Sequence, residues 1–366
     1  MSVKRPQKLP AFVERIWPLI AVLIFLAAVS LLASAVSAEL ARATTSMLIN
    51  VIIVVGLYVF IGNSGVPSFG HTAFMAVGAY AGALLAMQPA NKELLLPGLP
   101  HWLVTTHMAP VPAILVGGLC AAALAGIVGV PIARMSPLAA SLGTFAVLII
   151  VNNIVNNLQA VGGSSGLSAA PAVINNPIAY LWAAAAITLA FLYQRTRWCL
   201  RLRASREDEP AAQSVGVAIA KERFLSLVLS AFVCGVGGGV FALNLGFFTP
   251  NEFYLSAAFL VLVMLLVGGS TSLAGAVVGV VSIFVVQQVL KHVESGTGLT
   301  GIENVVVAVL LIVVMITRPL GIMGGKEVSW PFSRRLDDGL SSLAPPGATG
   351  LDDPASPPES AREVVL

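Results

Sequence analysis

The sequence contains few charged residues for its length. Of its 366 residues only 10% are Asp, Glu, Lys or Arg, whereas 57% are hydrophobic and the mean hydropathy is +0.91. A soluble domain carries roughly 25% charged residues, so this chain cannot cover a soluble surface. An ordinary cytosolic enzyme, a secreted disulfide scaffold and a disordered protein are excluded. The net charge of +3 is too small to indicate a nucleic-acid partner.

Cysteine is also scarce. The three cysteines, Cys120, Cys199 and Cys234, lie far apart and match no metal-binding spacing. We interpret them as small apolar residues and predict neither a metal site nor a cofactor.

Ionisable residues are missing from the middle of the apolar segments, and the chain contains no P-loop motif of the form GxxxxGKS/T. Ion-coupled carriers usually hold charged residues at membrane depth, although backbone carbonyls alone can hold Na⁺. A membrane enzyme is disfavoured in the same way, because no cluster of His, Asp or Cys lies at membrane depth. Without a P-loop, the energy for active transport would come from another subunit.

Ten apolar segments dominate the sequence. A helix needs about 20 residues to cross ~30 Å of hydrocarbon, and these runs lack the alternation of barrel strands. We therefore predict an all-α integral membrane protein with about ten transmembrane helices. Their approximate ranges are 16–37, 44–61, 71–88, 110–132, 137–155, 177–193, 224–243, 255–267, 273–290 and 303–317.

The basic residues are distributed unevenly between the two sides that these spans define. With the N-terminus inside, 17 of the 20 Lys and Arg residues lie in the cytoplasm, and only Arg42, Lys92 and Lys291 lie outside. The positive-inside rule therefore predicts that both termini are cytoplasmic. The first span has an alternative interpretation as a signal peptide, but its apolar stretch exceeds the usual 7–15 residues.

The predicted organisation has three parts. A cytoplasmic N-terminal tail covers residues 1–15, and a transmembrane domain covers residues 16–326, with a cytoplasmic loop over 195–223. Residues 327–366 are rich in Pro, Ser, Gly and Asp. Such a composition cannot bury a core, so we predict a disordered cytoplasmic tail.

Segment 195–223 is the longest loop between spans and the only one dense in charges of both signs. Ala211, Ala212, Val215 and Ile219 recur at helical spacing, and Pro210 suits a first helical turn. We predict a short helix that lies along the cytoplasmic face. Charge alone also allows a basic membrane anchor with a surface helix.

The same segment resembles the cytoplasmic loop of the LivM-like family of branched-chain amino acid ABC permeases. Four further segments resemble that family in the same order, at residues 65–80, 162–167, 267–279 and 318–324. Together they cover roughly residues 45–325. Residues 137–144 depart from the aromatic and Ala-Ile-Thr-Leu-like run that the family usually shows, and the family also includes permeases for urea and other amides.

The resemblance implies an ABC importer permease fold in a bacterial-type inner membrane. It also implies a homologous permease subunit, two ABC ATPase subunits and an extracytoplasmic substrate-binding protein as partners. Branched-chain amino acids are the implied cargo. Urea or a short-chain amide is the alternative cargo, and a self-sufficient secondary carrier is the alternative class.

In such importers the cytoplasmic loop docks in a cleft of the ATPase, and closure of the ATPase moves the membrane helices. Charged residues would fix the register on the partner, and small residues would permit close approach. The candidate coupling residues are Arg203, Arg206, Glu207, Asp208, Glu209, Ala211, Ala212, Gly216 and Lys221.

Two Gly-rich runs interrupt the apolar sequence in the two halves of the chain, at residues 62–71 and 268–272. Interrupted helices in corresponding halves point to a transport path, and the same runs are also typical of tight turns between spans. The candidate path residues in them are Ser68, Phe69, Gly70, His71, Gly268, Gly269 and Ser270.

The fifth predicted helix carries four amides, Asn152, Asn153, Asn156 and Asn157, which we place on one side of it. Amides do not face lipid cheaply, so they either bond to other helices or line a polar path. Asn152 and Asn156 are the candidate path residues. The loop that follows is the candidate docking surface for the binding protein, through Gly162, Gly163 and Gly166.

GxxxG pairs also occur within the spans, and we predict that they permit close helix packing. The pairs are Gly78 with Gly82, Gly235 with Gly239, and Gly275 with Gly279.

Overall fold

Almost every element of the fold is a helix. The computed structural model describes residues 11–168 and 174–297, and from the last part of the chain residues 306, 309, 312–314, 316–318 and 321–324. Residues 18–328 form one unit, and residues 1–17 with 329–366 form a second, of which only residues 11–17 are described. The elements are α1 (Ala11–Val36), α2 (Ala38–Ser64), α3 (His71–Ala86), α4 (Pro89–Leu95), α5 (His101–Thr105), α6 (Pro110–Ile132), α7 (Pro137–Asn157), β1 (Leu167–Ser168), α8 (Asn176–Gln194), α9 (Arg197–Glu207), α10 (Glu209–Ser214), α11 (Ile219–Leu245), β2 (Phe247–Phe248), α12 (Leu255–Gly268) and α13 (Leu273–Thr297).

Within the described residues, eight helices are long and apolar enough to cross a bilayer, or nine if the bent pair α3–α4 counts as one span. The predicted all-α membrane fold is therefore confirmed, while the count of ten is not. Nine of the ten predicted spans have a described helix at their position. The tenth, at 303–317, lies mostly outside the described residues, as do the tail over 327–366 and most of the N-terminal tail.

The third predicted span is shorter than expected. It was expected over residues 71–88, but α3 ends at Ala86 and the chain then bends by 116° into α4. Pro89 occupies the first turn of α4, where its fixed φ suits a helix start. At 1.5 Å per residue, the 16 residues of α3 rise about 24 Å.

Helix α2 lies at the centre of the unit, and its side chains are almost continuously buried from Thr44 to Ser64. Helices α3, α6 and α11 pack against one another beside it. A Cβ on Gly78 would lie 2.1 Å from the carbonyl oxygen of Gly235, and one on Gly238 would lie 1.9 Å from that of Met75. These backbones touch only because the side chains are absent, which confirms the close packing predicted from the GxxxG pairs.

Three small polar side chains of α11 donate hydrogen bonds to carbonyl oxygens along α2. The donors lie four residues apart on α11, and the acceptors lie three residues apart on α2. These bonds hold the two helices in register along three turns. The bonds are Ser226 Oγ to Val59 O at 2.8 Å, Ser230 Oγ to Gly56 O at 2.6 Å, and Cys234 Sγ to Ile53 O at 3.6 Å.

The described loops within residues 18–328 gather at two ends of the helix bundle. We call one the connector end; it holds residues 65–70, 133–136, 195–218 and 269–272, which line shared grooves. The opposite end holds residues 87–109, 158–168 and 246–254. There β1 and β2 pair antiparallel, with Leu167 opposite Phe248 and Ser168 opposite Phe247.

Candidate functional site

Residues 195–218, between α8 and α11, are called the connector below. Thr196 caps α9 by accepting a hydrogen bond from the backbone of Cys199 at 3.3 Å. Asp208 separates α9 from α10, and its carboxylate accepts from the backbone N–H of Ala211 at 3.0 Å. Pro210 lies in the first turn of α10, as predicted. The connector is thus a pair of capped helices rather than a plain loop.

The predicted short helix does not reach Val215 and Ile219. Helix α10 ends at Ser214, and Gly216 adopts φ +83, a left-handed conformation that turns the chain toward α11. Val215 is 80% exposed, while Ile219 begins α11. The helical spacing of these residues therefore continues from α10 into α11, although Gly216 separates the two helices.

Two arginines of α9 fasten the connector to the last turns of α2. Arg203 Nε donates to Asn63 Oδ1 at 2.7 Å, and its Nη2 donates to the hydroxyl of Tyr58 at 3.0 Å. Arg206 Nη1 donates to the carbonyl oxygen of Gly62 at 2.8 Å. These side chains therefore bond within the chain, so their guanidinium groups hold the connector in place.

Cys199 belongs to the same contact. It is fully buried, and its thiol donates to Asn63 Oδ1 at 3.2 Å. Burial raises the pKa of the Cys199 thiol to about 11. The thiol is therefore shielded and protonated, whichever side of the membrane it lies on.

The acidic candidates differ in exposure. Glu209 pairs with the buried Arg223 at 3.0 Å, so it ties α10 to α11. The side chain of Glu207 is 81% exposed, and among the described residues its ion pair is a 4.0 Å contact with Arg206. The other exposed candidates are Arg206, Asp208, Ala211, Gly216 and Lys221, whereas Ala212 is buried.

The first Gly-rich break begins later than predicted. Residues 62–64 belong to the last turn of α2, and Gly65 ends that helix with φ +71. A Cβ on Gly65 would lie 2.9 Å from Cγ of Arg206, so the arginine stem covers this turn. The break itself is therefore residues 65–70.

His71 is 1% exposed, and its Nδ1 lies 2.8 Å from Ser68 Oγ. Its ring packs against those of Phe60 and Phe74, with centroids 5.6 and 5.8 Å apart. The histidine thus holds the start of α3 against α2.

Phe69 and Gly70 join the break to α7. The backbone N–H of Phe69 donates to Thr144 Oγ1 at 3.3 Å. A Cβ on Gly70 would lie 2.5 Å from the carbonyl oxygen of Thr144, so the two backbones touch there.

The second break joins α12 to α13. Gly268 is the last residue of α12, and a Cβ there would lie 1.9 Å from the carbonyl oxygen of Gly275. Gly269 follows with φ +118. A Cβ on Gly62 would lie 2.6 Å from the carbonyl oxygen of Ser270, so the second break rests on the last turn of α2.

Both breaks line one open groove of about 400 Å³ at the connector end. Residues 64–67 and Ser270 contribute to its wall, together with Arg206, Glu209 and Arg223. The structure thus brings the break residues and the connector candidates together at one end of the bundle.

The amides of α7 lie at the opposite end and form two pairs of different exposure. Asn152 Nδ2 donates to the carbonyl oxygen of Pro250 at 3.1 Å, and Asn156 Nδ2 donates to Asn152 Oδ1 at 2.9 Å. Asn153 and Asn157 are exposed and bond to backbone carbonyls of their own helix. Asn152 and Asn156 thus face the protein, whereas Asn153 and Asn157, on the same side of the helix, are exposed.

The loop after α7 uses its glycines for backbone geometry. Gly162, Gly163 and Gly166 all have positive φ, at +94, +52 and +87. A Cβ on Gly166 would lie 2.6 Å from the carbonyl oxygen of Phe248, which pairs with β1. Gly163 is buried, and the exposed surface of this loop includes Ser164.

Comparison with protein families is consistent with this arrangement. The sequence profile of the family described as "Branched-chain amino acid transport system / permease component" matches residues 39–315. The chain belongs to this permease family. No solved structure matches it significantly.

Curated relatives of the permease carry similar descriptions. The high-affinity branched-chain amino acid transport system permease protein LivM of Escherichia coli (strain K12) is 24% identical over 339 residues, covering 82% of this chain and 74% of the relative. LivM of Salmonella typhimurium is 24% identical over 314 residues, covering 76% and 68%. The probable permease protein LivH of Methanocaldococcus jannaschii is 27% identical over 157 residues, covering 41% and 47%.

Sequence analysis missed Tyr80 of the permease. It is 6% exposed, and its hydroxyl has no hydrogen-bond partner among the described residues. It lines a cavity of about 10 Å³ together with Asn152 and Pro250, which is room for one water molecule. The signal in the sequence was a hydroxyl group in the apolar middle of α3, which needs a polar partner.

Lys92 was counted only as one of three basic residues on the outer side. In the structure it is buried, and its ammonium group donates to the carbonyl oxygen of Leu103 at 3.0 Å and to that of Thr106. Burial lowers the pKa of Lys92. The lysine thereby joins α4 to the C-terminal end of α5, where cations interact favourably with the helix dipole.

Proposed function

We propose that this chain is a membrane-spanning permease subunit of an ABC importer, and that it forms part of the translocation path for branched-chain amino acids. The observation that supports this most is the connector. It presents an exposed tip, and its base is joined to α2 by Arg203 and Arg206. A partner that pulls on such a tip moves a membrane helix rather than a flexible loop.

In this proposal the tip is the ATPase contact. Glu207, Asp208, Ala211 and Gly216 are exposed on it, so acidic groups and small residues are available to a partner. Glu209 and Ala212 have internal roles, because Glu209 pairs with Arg223 and Ala212 is buried. Lys221 lies beside the tip, on the first turn of α11.

The proposed orientation places the connector end in the cytoplasm, because 17 of 20 basic residues then lie inside. Cargo would enter at the opposite end, beside Asn152 and Asn156, and leave near the two breaks. The loop over 158–168 would receive the extracytoplasmic binding protein through its exposed residues, including Ser164. A homologous permease subunit and two ABC ATPase subunits would complete the transporter.

The cargo class is supported by the printed descriptions of the relatives, which name branched-chain amino acids. At 24% identity these descriptions leave urea and short-chain amides as the competing cargo, because residues 137–144 depart from the family pattern. The self-sufficient carrier is disfavoured, because no ionisable residue lies in the middle of the predicted spans.

The test is transport in proteoliposomes. The chain is purified with the permease, ATPase and binding proteins encoded beside it, and uptake of labelled leucine is measured with and without ATP. We expect uptake that requires both ATP and the binding protein. Uptake without the ATPase would favour a secondary carrier, and retention of urea instead of leucine by the binding protein would favour the amide cargo.

A further inference from the structure

We infer that the last turn of α2 receives the motion of the connector and passes it to both Gly-rich breaks, with Arg203 and Arg206 as the positioning residues. This inference rests on the proposed function, since it concerns how the proposed ATPase contact reaches the path.

The first step is the contact of Arg203. Its guanidinium joins two α2 residues five positions apart, Asn63 and Tyr58. Asn63 is fully buried, and its Nδ2 donates to Val59 O at 2.8 Å. That bond turns Oδ1 toward α9, where it accepts from both Arg203 and Cys199. A planar guanidinium with two acceptors fixes orientation as well as distance, which a lysine ammonium would not do.

The second step is the contact of Arg206 with the end of α2. Its Nη1 binds the carbonyl oxygen of Gly62, one of the last-turn carbonyls that lack an intrahelical partner. A cation is favoured there by the helix dipole. The arginine stem also lies on Gly65, the first residue of the first break. The connector therefore touches the helix end and the start of the break with one side chain.

The third step connects the second break to the same turn. Gly62 lacks a side chain where Ser270 approaches, since a Cβ there would lie 2.6 Å from the Ser270 carbonyl oxygen. The two breaks are separated by about two hundred residues in sequence, but both rest on residues 62–65. A shift of this turn must displace both.

A competing route runs through α11, which follows the connector directly in the chain. The pairs Glu209–Arg223 and Arg201–Glu222 join the connector to its first turn at 3.0 and 3.6 Å. The two routes differ in one respect: removing the Arg203 guanidinium breaks its bonds to Asn63 and Tyr58 but leaves both ion pairs with α11.

The experiment uses the complete reconstituted transporter with Arg203→Gln. We expect the ATPase to co-purify and to hydrolyse ATP, while leucine imported per ATP falls by about tenfold, within the usual range of coupling between sites. Arg203→Lys should show an intermediate loss, because it keeps the charge but not the fork. The matched control is Arg197→Gln, which removes the same charge from an exposed position of α9.

A second readout follows the motion itself. With the native cysteines replaced by Ala or Ser, spin labels at Val215→Cys and at Pro67→Cys are each paired with a label at Ser164→Cys at the opposite end. In the wild-type background ATP should change both distances. With Arg203→Gln the 215–164 distance should still change, whereas the change in the 67–164 distance should shrink, because Arg206 keeps only part of the contact with α2.

Wild-type leucine import per ATP in Arg203→Gln, or a 67–164 distance that responds to ATP as in the wild-type background, would overturn the inference and leave the proposed function intact. Should Arg203→Gln fold poorly, Arg203→Lys decides the matter by the same two readouts. If the wild-type chain does not bind an ATPase at all, the proposed function fails first and the inference with it.

Discussion

Different kinds of contact stabilise the two ends of the bundle. At the connector end, long charged side chains cross between elements, as Arg203 does to Asn63 and Arg223 does to Glu209. At the opposite end, backbone contacts dominate: β1 pairs with β2, and Pro250 accepts from Asn152. Among the described residues of this end, Lys92 is a charged side chain that does cross between elements, and its partners are again backbone carbonyl oxygens.

The difference suggests different mechanical roles. Under the inferred coupling, the guanidinium contact carries displacement of the connector to α2, because its directional bonds fix orientation as well as distance. The loop over 158–168 is shaped by glycines with positive φ and presents a fixed surface. No guanidinium contact joins its described residues to a membrane helix. We expect substitutions at the connector end to alter coupling, and substitutions at the opposite end to alter entry or stability.

The sharpest test asks which end faces the cytoplasm. In a variant whose native cysteines are replaced, Val215→Cys should resist a membrane-impermeant thiol reagent on intact cells, whereas Ser164→Cys should react. The contrast is all or none, because both positions are exposed and lie at different ends. Native Cys199 is unsuitable for this test, since it is buried. The reverse labelling pattern would contradict the orientation.

The next test compares one glycine from each end. Gly166→Ala adds a Cβ 2.6 Å from the Phe248 carbonyl oxygen at φ +87, whereas Gly216→Ala meets nothing within 4 Å at φ +83. Positive φ strains the backbone at both positions by roughly 1–3 kcal/mol, and Gly166, with ψ 176, lies in a region that essentially only glycine adopts. The contact adds about 1–3 kcal/mol for Gly166→Ala alone. Thermal unfolding in detergent should show the larger fall in Tm for Gly166→Ala; equal shifts would mean that β1 and β2 relax freely.

A smaller effect should distinguish the two amide pairs of α7. Replacing Asn152 and Asn156 with Leu leaves the Pro250 carbonyl oxygen without its donor, which costs about 1–3 kcal/mol. Leucine uptake should fall while membrane abundance remains. The same double change at Asn153 and Asn157 is the control, because those amides are exposed. Equal uptake in both variants would reduce the inner pair to helix packing.

The smallest effect is expected at the tip. Glu207→Lys reverses an exposed charge that makes no short internal contact, so any loss of ATPase co-purification reports the partner. A rim charge contributes about 0.2–1 kcal/mol, and binding should weaken severalfold. Asp208→Asn is the companion variant, because asparagine can still cap α10. Unchanged binding in both would remove these two acids from the proposed contact.

Much of the fold was predictable because span helices are long and uniformly apolar. Predicted segments 110–132 and 273–290 begin where α6 and α13 begin. Pro210 gave the start of α10, since proline fits a first turn for local reasons. The GxxxG pairs gave close packing for the same kind of reason, because only glycine lets two backbones touch.

The structural features that the sequence did not predict depend on tertiary contacts. Residues 62–64 remain helical because Arg206 and Ser226 bond to carbonyls near that end of α2. The bend after Ala86 is fixed by Lys92 and the loop that surrounds it. Glu209 looked like a surface acid, but Arg223, 14 residues away, pairs with it. The sequence around each of these residues does not show which residue of another element it bonds to.

Helix α3 is too short for the membrane, and all its residues except Val77 and Ala81 are buried by protein. Hydrophobic mismatch penalises only a surface that lipid touches. The length of α3 is therefore set by its neighbours and not by bilayer thickness. In thinner or thicker lipid, the adjustment must occur at exposed helices such as α1 and α6, while the element that begins at the first break keeps its depth.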